Sequence, residues 1–250
     1  MVSLTQLEQL TGRDESHLVQ LPCGHRLQDE VARAFAALQV DARREGFDLA
    51  IASSYRSFAR QLAIWNGKAS GARPVHDDLG QPVEMAALPA REQLHAILRY
   101  SAIPGTSRHH WGTDLDVYDL AAVPADYTVQ LSPREVAAGG VFEPLHRWLD
   151  ERMAAGESRG FYRPYASDRG GVAPERWHLS YAPLSTGCAT LLTGELLTGE
   201  LLTGELLTSS WDCQQVGDQG LLLRDEIAAA LPDIMARYIV VPDGWCPRDN

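Results

Sequence analysis

Basic residues are scarce in this chain: 22 Lys plus Arg stand against 33 Asp plus Glu in 250 residues, a formal net charge of -11. That balance has the wrong sign for a broad face holding a polyanion, which argues against nucleic acid and anionic membrane surfaces as partners. Long hydrophobic runs are also missing, since no window approaches the roughly 20 apolar residues of a membrane-spanning helix. The start, Met1 to Arg13, carries Glu8 and several polar residues where a secretory signal has a basic and then an apolar run. A soluble, cytoplasmic protein is therefore expected. The four cysteines, Cys23, Cys188, Cys213 and Cys246, include no C-x-x-C pair. Neither a zinc ribbon nor a thioredoxin-type redox site is indicated, and reduced thiols are the default.

What remains is an ordinary composition, 45% hydrophobic and 22% charged, enough for one globular domain spanning residues 1–250. Apolar residues at Leu27, Val31, Phe35, Leu38 and Ala42 keep one helical face, and Gly46 stops that helix. Phe47, Leu49 and Ile51 then alternate with polar or small residues, a half-buried strand leading into Ser53-Ser54-Tyr55-Arg56. Phe58, Leu62 and Trp65 resume helical spacing until Gly67. Lys68 to Val83 shows no periodicity and reads as a surface loop bordering a site. A short helix follows Pro89, and strand character returns from Thr113 to Tyr118. Ser132, Pro133 and Glu135 give an N-cap, a first-turn proline and a capping-box glutamate. Pro144 opens a helix bearing Leu145, Trp148 and Leu149. Gly160 to Gly171 reads as a glycine- and aromatic-rich loop, Trp177 to Tyr181 as a strand, and Ile227 to Tyr238 as a helical pair interrupted by Pro232. Helices and strands do not alternate regularly, which predicts an α+β fold, with a small antiparallel sheet flanked by helices.

One segment repeats. Thr193-Gly194-Glu195-Leu196-Leu197 recurs from Thr198 and again from Thr203, giving a tandem stretch over residues 191–208 within a C-terminal extension. A five-residue period spirals leucines around a helix and flips faces in a strand, so a tolerated insertion in a connection is expected rather than a solenoid.

Of eight histidines, His17, His25, His76, His95 and His146 stand alone or without a completing partner and read as structural or surface residues. Two clusters differ. In Ser107-Arg108-His109-His110-Trp111-Gly112-Thr113-Asp114-Leu115-Asp116, a histidine and a carboxylate lie seven residues apart, with a glycine between them that permits a sharp change of direction. In Glu175-Arg176-Trp177-His178 a carboxylate precedes a histidine by three. Together they offer His109, Asp116 and His178 as three metal ligands and leave a fourth position for water, the arrangement of a catalytic rather than a closed structural zinc site. Glu175 is then placed to act as general base.

With Ser53 to Ser57 and Gln61 added, these motifs resemble the D-alanyl-D-alanine carboxypeptidases of the VanY and VanX type, zinc peptidases acting on peptidoglycan peptides. The family pattern, S-x-Y-R-S with a later Gln, then S-x-H-x-x-G-x-A-x-D, then E-x-W-H, is met in order between about Leu27 and Pro183. The resemblance implies Zn2+ on His109, Asp116 and His178, with Glu175 as catalytic base and Arg56 acting on the substrate carbonyl. Ser107 and Gln61 match substrate-side positions. Two residues depart from the pattern. Asp114 replaces a small alanine and by strand alternation shares a face with Asp116, where it is expected to orient a histidine or, less simply, to ligate. Ser54 replaces a common glycine.

The leading expectation is a zinc metallopeptidase releasing a terminal D-alanine from peptidoglycan peptides. D,D- and L,D-carboxypeptidase, dipeptidase and endopeptidase activities all remain open, because they differ in pocket shape around one zinc. A non-hydrolytic, metal-stabilised module that binds peptide or protein is disfavoured by Glu175, since binding alone requires no base.

Overall fold

The computed structural model describes residues 3–192 and 220–240. The chain opens with α1 (Leu4–Leu10) and a hairpin of β1 (Leu18–Gln20) and β2 (Arg26–Gln28). Next come α2 (Asp29–Arg44), β3 (Leu49–Ser53), α3 (Phe58–Ala69) and α4 (Ala90–Leu98). A 3-10 turn (Arg108–Trp111) leads into β4 (Asp114–Asp119), followed by α5 (Pro133–Val136), α6 (Glu143–Ala154), β5 (Phe161–Tyr162), β6 (His178–Tyr181) and α7 (Ala182–Leu191). After the repeat comes α8 (Arg224–Ile234), continued by a π turn over Met235–Ile239. The expected α+β class, with a small antiparallel sheet flanked by helices, is what forms.

The main sheet has the order β3-β4-β6-β5, every neighbour antiparallel. The alternation in β4 decides its two faces. Leu115 and Val117, with Leu179 of β6, point into a core shared with Val31, Phe35 and Leu38 of α2 and Leu145 and Leu149 of α6. Each such buried side chain contributes roughly 1.5–3 kcal/mol. Asp114 and Asp116 take the opposite face, paired in register with Ser180 and His178. A second core unites Trp65 of α3, Leu94 and Ile97 of α4, and Ile227 and Ile234 of α8.

Local signals account for the helix starts. Ser57, the last residue of the S-x-Y-R-S motif, caps α3 by accepting from the Arg60 N–H at 3.2 Å. The capping box at Ser132 forms as predicted, with Glu135 Oε2 accepting from the Ser132 N–H at 2.9 Å. Gly112 turns the chain with φ +68°, and a Cβ there would collide with the Leu18 side chain.

Three expectations are corrected. The helix predicted from Leu27 starts at Asp29, because Leu27 joins the hairpin and buries its side chain from a strand instead. The Gly160–Gly171 loop contains β5, whose two aromatic residues find their strand partner in β6, far along the sequence. Pro232 does not split the C-terminal helix; α8 runs through it, and the register widens three residues later at Met235. The tandem repeat from Thr193 onward lies outside the described residues, as do Cys213 and Cys246, while Cys23 and Cys188 are free thiols. Among the described residues, no helix is long and apolar enough to cross a membrane.

Candidate metal centre

His109 sits in the 3-10 turn before β4, Asp116 in β4, and His178 at the start of β6, directly opposite Asp116 in the ladder. Antiparallel pairing therefore delivers two of the three groups to one face, and the turn at Gly112 folds the third back over it. One ligand atom from each lies within 4.8 Å of the others, and all three residues are buried. His109 Nε2 is 3.4 Å from Asp116 Oδ2, and His178 Nδ1 is 3.4 Å from Asp116 Oδ1.

The outward nitrogens fix the tautomers. His109 donates from Nδ1 to the Ser54 carbonyl at 3.0 Å, and His178 donates from Nε2 to Asp114 Oδ1 at 2.9 Å. The inward nitrogens of the neutral rings are then lone pairs aimed at a carboxylate. Asp116 Oδ1 is buried and receives no hydrogen bond. Three acceptors converging out of water are satisfied only by a cation or by protons. In the metal-free chain, burial disfavours charge on His178, yet Asp114, Glu175 and Asp116 together push it up to about 9. Burial would raise Asp116, but the two histidines and Arg56 outweigh it and hold its carboxyl low. Two imidazoles and one carboxylate in a dry site fit zinc.

Asp114 answers the question left by its place in the strand: it orients rather than ligates. Besides His178 it accepts from Arg108 Nε at 2.8 Å and from the Thr113 hydroxyl at 2.6 Å. Arg108, also buried, donates from Nη2 to the Tyr162 hydroxyl and Ser180 Oγ at 2.9 and 2.7 Å. Asp114→Asn should weaken zinc binding about 10–100-fold, as for other partners of ligating histidines; competition against a fluorescent chelator measures it.

Glu175 Oε2 lies 3.4 Å from His178 Nδ1, beside the ligand cluster. Arg56 is fixed from two sides. Its backbone N–H donates to the His109 carbonyl at 3.1 Å, and its own carbonyl accepts from His110 Nδ1 at 2.6 Å. His110 stays neutral, pushed down to about 3 by burial, with Nε2 accepting from the Gly105 N–H. The Arg56 guanidinium donates to Gln61 Oε1 at 2.8 Å and Ser53 Oγ at 3.1 Å.

His109, Asp116, His178, Glu175, Arg56 and Arg108 border one cavity of about 480 Å3, which Ser107, Tyr165 and Trp177 also line. Gln61 is a correction. It is fully buried, with its oxygen on Arg56 and its nitrogen donating to the Ala102 carbonyl at 2.7 Å, so it holds the arginine instead of meeting a ligand. The helix α3 runs past Gly67 to Ala69, so the loop expected from Lys68 begins after it; that loop supplies His76, Asp77 and Gly80 to the wall. Arg99 ties this loop to the Gly160–Gly171 segment by bridging Asp78 and Asp168.

A family model described as VanY, D-alanyl-D-alanine carboxypeptidase, matches residues 24–184, well over half of the chain. The chain belongs to that family. The match contains every candidate ligand and cavity residue named above. Two proteins of Haemophilus influenzae, both described as uncharacterized, are similar. One is 46% identical over 100 residues, covering 38% of this chain and 68% of its own length. The other is 36% identical over 85 residues, covering 33% and 63%. Among solved structures, VanYB in complex with D-alanine-D-alanine is 24% identical over 77% of this chain and 91% of its own, with TM-score 0.48. The LdcB LD-carboxypeptidase is 21% identical over 72% and 74%, with TM-score 0.46.

Sequence reasoning named the three candidate ligands that the structure brings together, and Glu175, Arg56 and Asp114, but gave no role to Arg108, His110 or Tyr165. Arg108 and His110 flank His109 in the motif itself. Their signal was a cation and a second imidazole inside an otherwise buried stretch.

Proposed function

We propose that this chain is a zinc-dependent carboxypeptidase that removes a terminal D-alanine from peptidoglycan-derived peptides. The observation that carries the reading is the convergence of one ligand atom each from the buried His109, Asp116 and His178, with the Glu175 carboxylate 3.4 Å from His178 Nδ1. Bound there, zinc supplies Lewis acidity toward a carbonyl and lowers the pKa of water toward about 7.

The chain's own groups do the rest. Glu175 takes the proton of the attacking water as the C–O bond forms, holds it on its carboxylate, and delivers it to the amine nitrogen as the peptide C–N bond breaks. Arg56 points a guanidinium, already fixed by Gln61 and Ser53, at the oxygen on which negative charge grows. Such preset donors are worth about 2.7–4 kcal/mol in comparable sites. Tyr165 packs edge-on against His178 with ring centroids 5.1 Å apart and keeps that side of the cluster dry.

The test is mass spectrometry of cell-wall pentapeptide and tetrapeptide after incubation with zinc-loaded protein. Loss of one terminal alanine supports the reading and assigns the bond by which peptide is consumed. Intact peptides with one zinc bound per chain contradict it.

A further inference from the structure

Among the 22 basic residues of this chain, 21 are arginine, and Lys68 is the only lysine. It lies on the wall of the same cavity as Arg56 and Glu175. Along α3, Gln61, Trp65 and Lys68 fall at i, i+4 and i+7, one face of the helix. Gln61 holds the Arg56 guanidinium, and helical side chains lean toward the helix N-terminus, so Lys68 reaches back along the wall toward that arginine.

The ammonium has three protons to donate, and Ser101 Oγ takes one at 2.6 Å. Among the described residues no carboxylate pairs with it. The remaining charged neighbours do not compensate: burial first, then the nearby Arg56, bring Lys68 down to about 8, against an opposing pull from Glu175. Arg56 hydrogen-bonds to neutral groups, Gln61, Ser53 and backbone, while Asp116 and Glu175 act on it without a hydrogen bond. Lys68 and Arg56 are thus two partly buried cations on one cavity wall with no carboxylate hydrogen-bonded to either, and an anionic ligand group would give the ammonium the charged partner it lacks.

We propose that Lys68 binds the terminal α-carboxylate of the peptide substrate, with Ser101 orienting its ammonium, and so makes the site select free C-termini over internal bonds. The inference rests on the cavity being the peptide site of the proposed carboxypeptidase. Arg56 and Lys68 divide the work along the wall: the guanidinium faces the carbonyl being cleaved, and the ammonium faces the carboxylate one residue beyond. An internal bond brings a neutral amide to Lys68 in place of the carboxylate, leaving the desolvated ammonium without a counter-charge.

As the sole lysine, Lys68 can be followed by acetylation. Zinc-loaded Glu175→Gln protein, which retains the peptide, is treated with an acetylating ester beside a pentapeptide ending in D-alanyl-D-alanine, either as free acid or as C-terminal amide. Peptide mapping separates Lys68 from the N-terminal amine. The free acid should slow Lys68 acetylation, and the amide should not. With Glu175 intact, Lys68→Met should raise KM for the acid about tenfold to a hundredfold, the range for a hydrogen bond to a charged group. Its kcat should stay unchanged and Lys68→Arg should restore most of the loss. Equal protection by acid and amide, or an equal loss of kcat/KM on both, overturns the proposal. Protection by the acid without turnover by the protein with Glu175 intact would sink the peptidase reading and leave the Lys68 site standing.

Discussion

Glu175→Gln should reduce peptide hydrolysis by about 100- to 10,000-fold, the range for removing a positioned general base, while leaving zinc bound one to one. Glu175 is not among the three converging ligand atoms, and glutamine keeps its length and volume. Its backbone also stays useful: its N–H donates to the Tyr165 carbonyl and its carbonyl closes the turn into His178, at 2.9 and 3.1 Å. What the amide lacks is the capacity to take a proton from water and return it to nitrogen. Turnover with metal analysis on the same sample checks this. Retention of more than a tenth of the activity, with zinc present, would remove Glu175 from the mechanism.

Arg108→Met should destabilise the fold by about 3–5 kcal/mol, the cost of stripping one partner from a buried ion pair. Both members are buried, with side-chain exposures of 4% for Arg108 and 0% for Asp114. Burial would raise the Asp114 carboxyl, and the guanidinium, followed by His178 and Thr113, holds it below its usual range. The change leaves a carboxylate out of water, together with the Tyr162 and Ser180 hydroxyls that lose their donor. A double variant, Arg108→Met with Asp114→Leu, removes both charges and should recover much of the stability, because an apolar pair of similar volume avoids the desolvation penalty. Its zinc affinity should nevertheless stay low, since His178 has lost its orienting acceptor. Urea unfolding with a chelator present separates the two effects by keeping metal linkage out of the stability measurement. If the single variant unfolds at the same urea concentration as the parent protein, the pair does not hold the site together.

The candidate site was more legible in the sequence than its supports. Local pattern sufficed for β4, where Asp-Leu-Asp-Val alternates carboxylates and apolar side chains with a period of two, and for Asp114, whose position on the ligand face follows from that alternation. Motif spacing sufficed for His109, His178 and Glu175. The groups that keep these residues in place were hidden because they are non-local. Ser54 offers a backbone carbonyl to His109, which no side-chain pattern reveals. Ser180 and Tyr162 reach Arg108 only once β4, β6 and β5 are adjacent. The hairpin of β1 and β2 and the two-residue β5 are too short to show a period. Gln61 was placed on the substrate because its motif position suggested it, whereas its burial and its two hydrogen bonds are tertiary facts.

The most direct measurement is X-ray absorption at the zinc edge on protein loaded with one zinc per chain. Two imidazole nitrogens and carboxylate or water oxygens at about 2.0–2.2 Å, with no sulfur, are the predicted coordination, lost in His178→Ala. A sulfur shell near 2.3 Å would put the metal on a cysteine and contradict the site built from His109, Asp116 and His178.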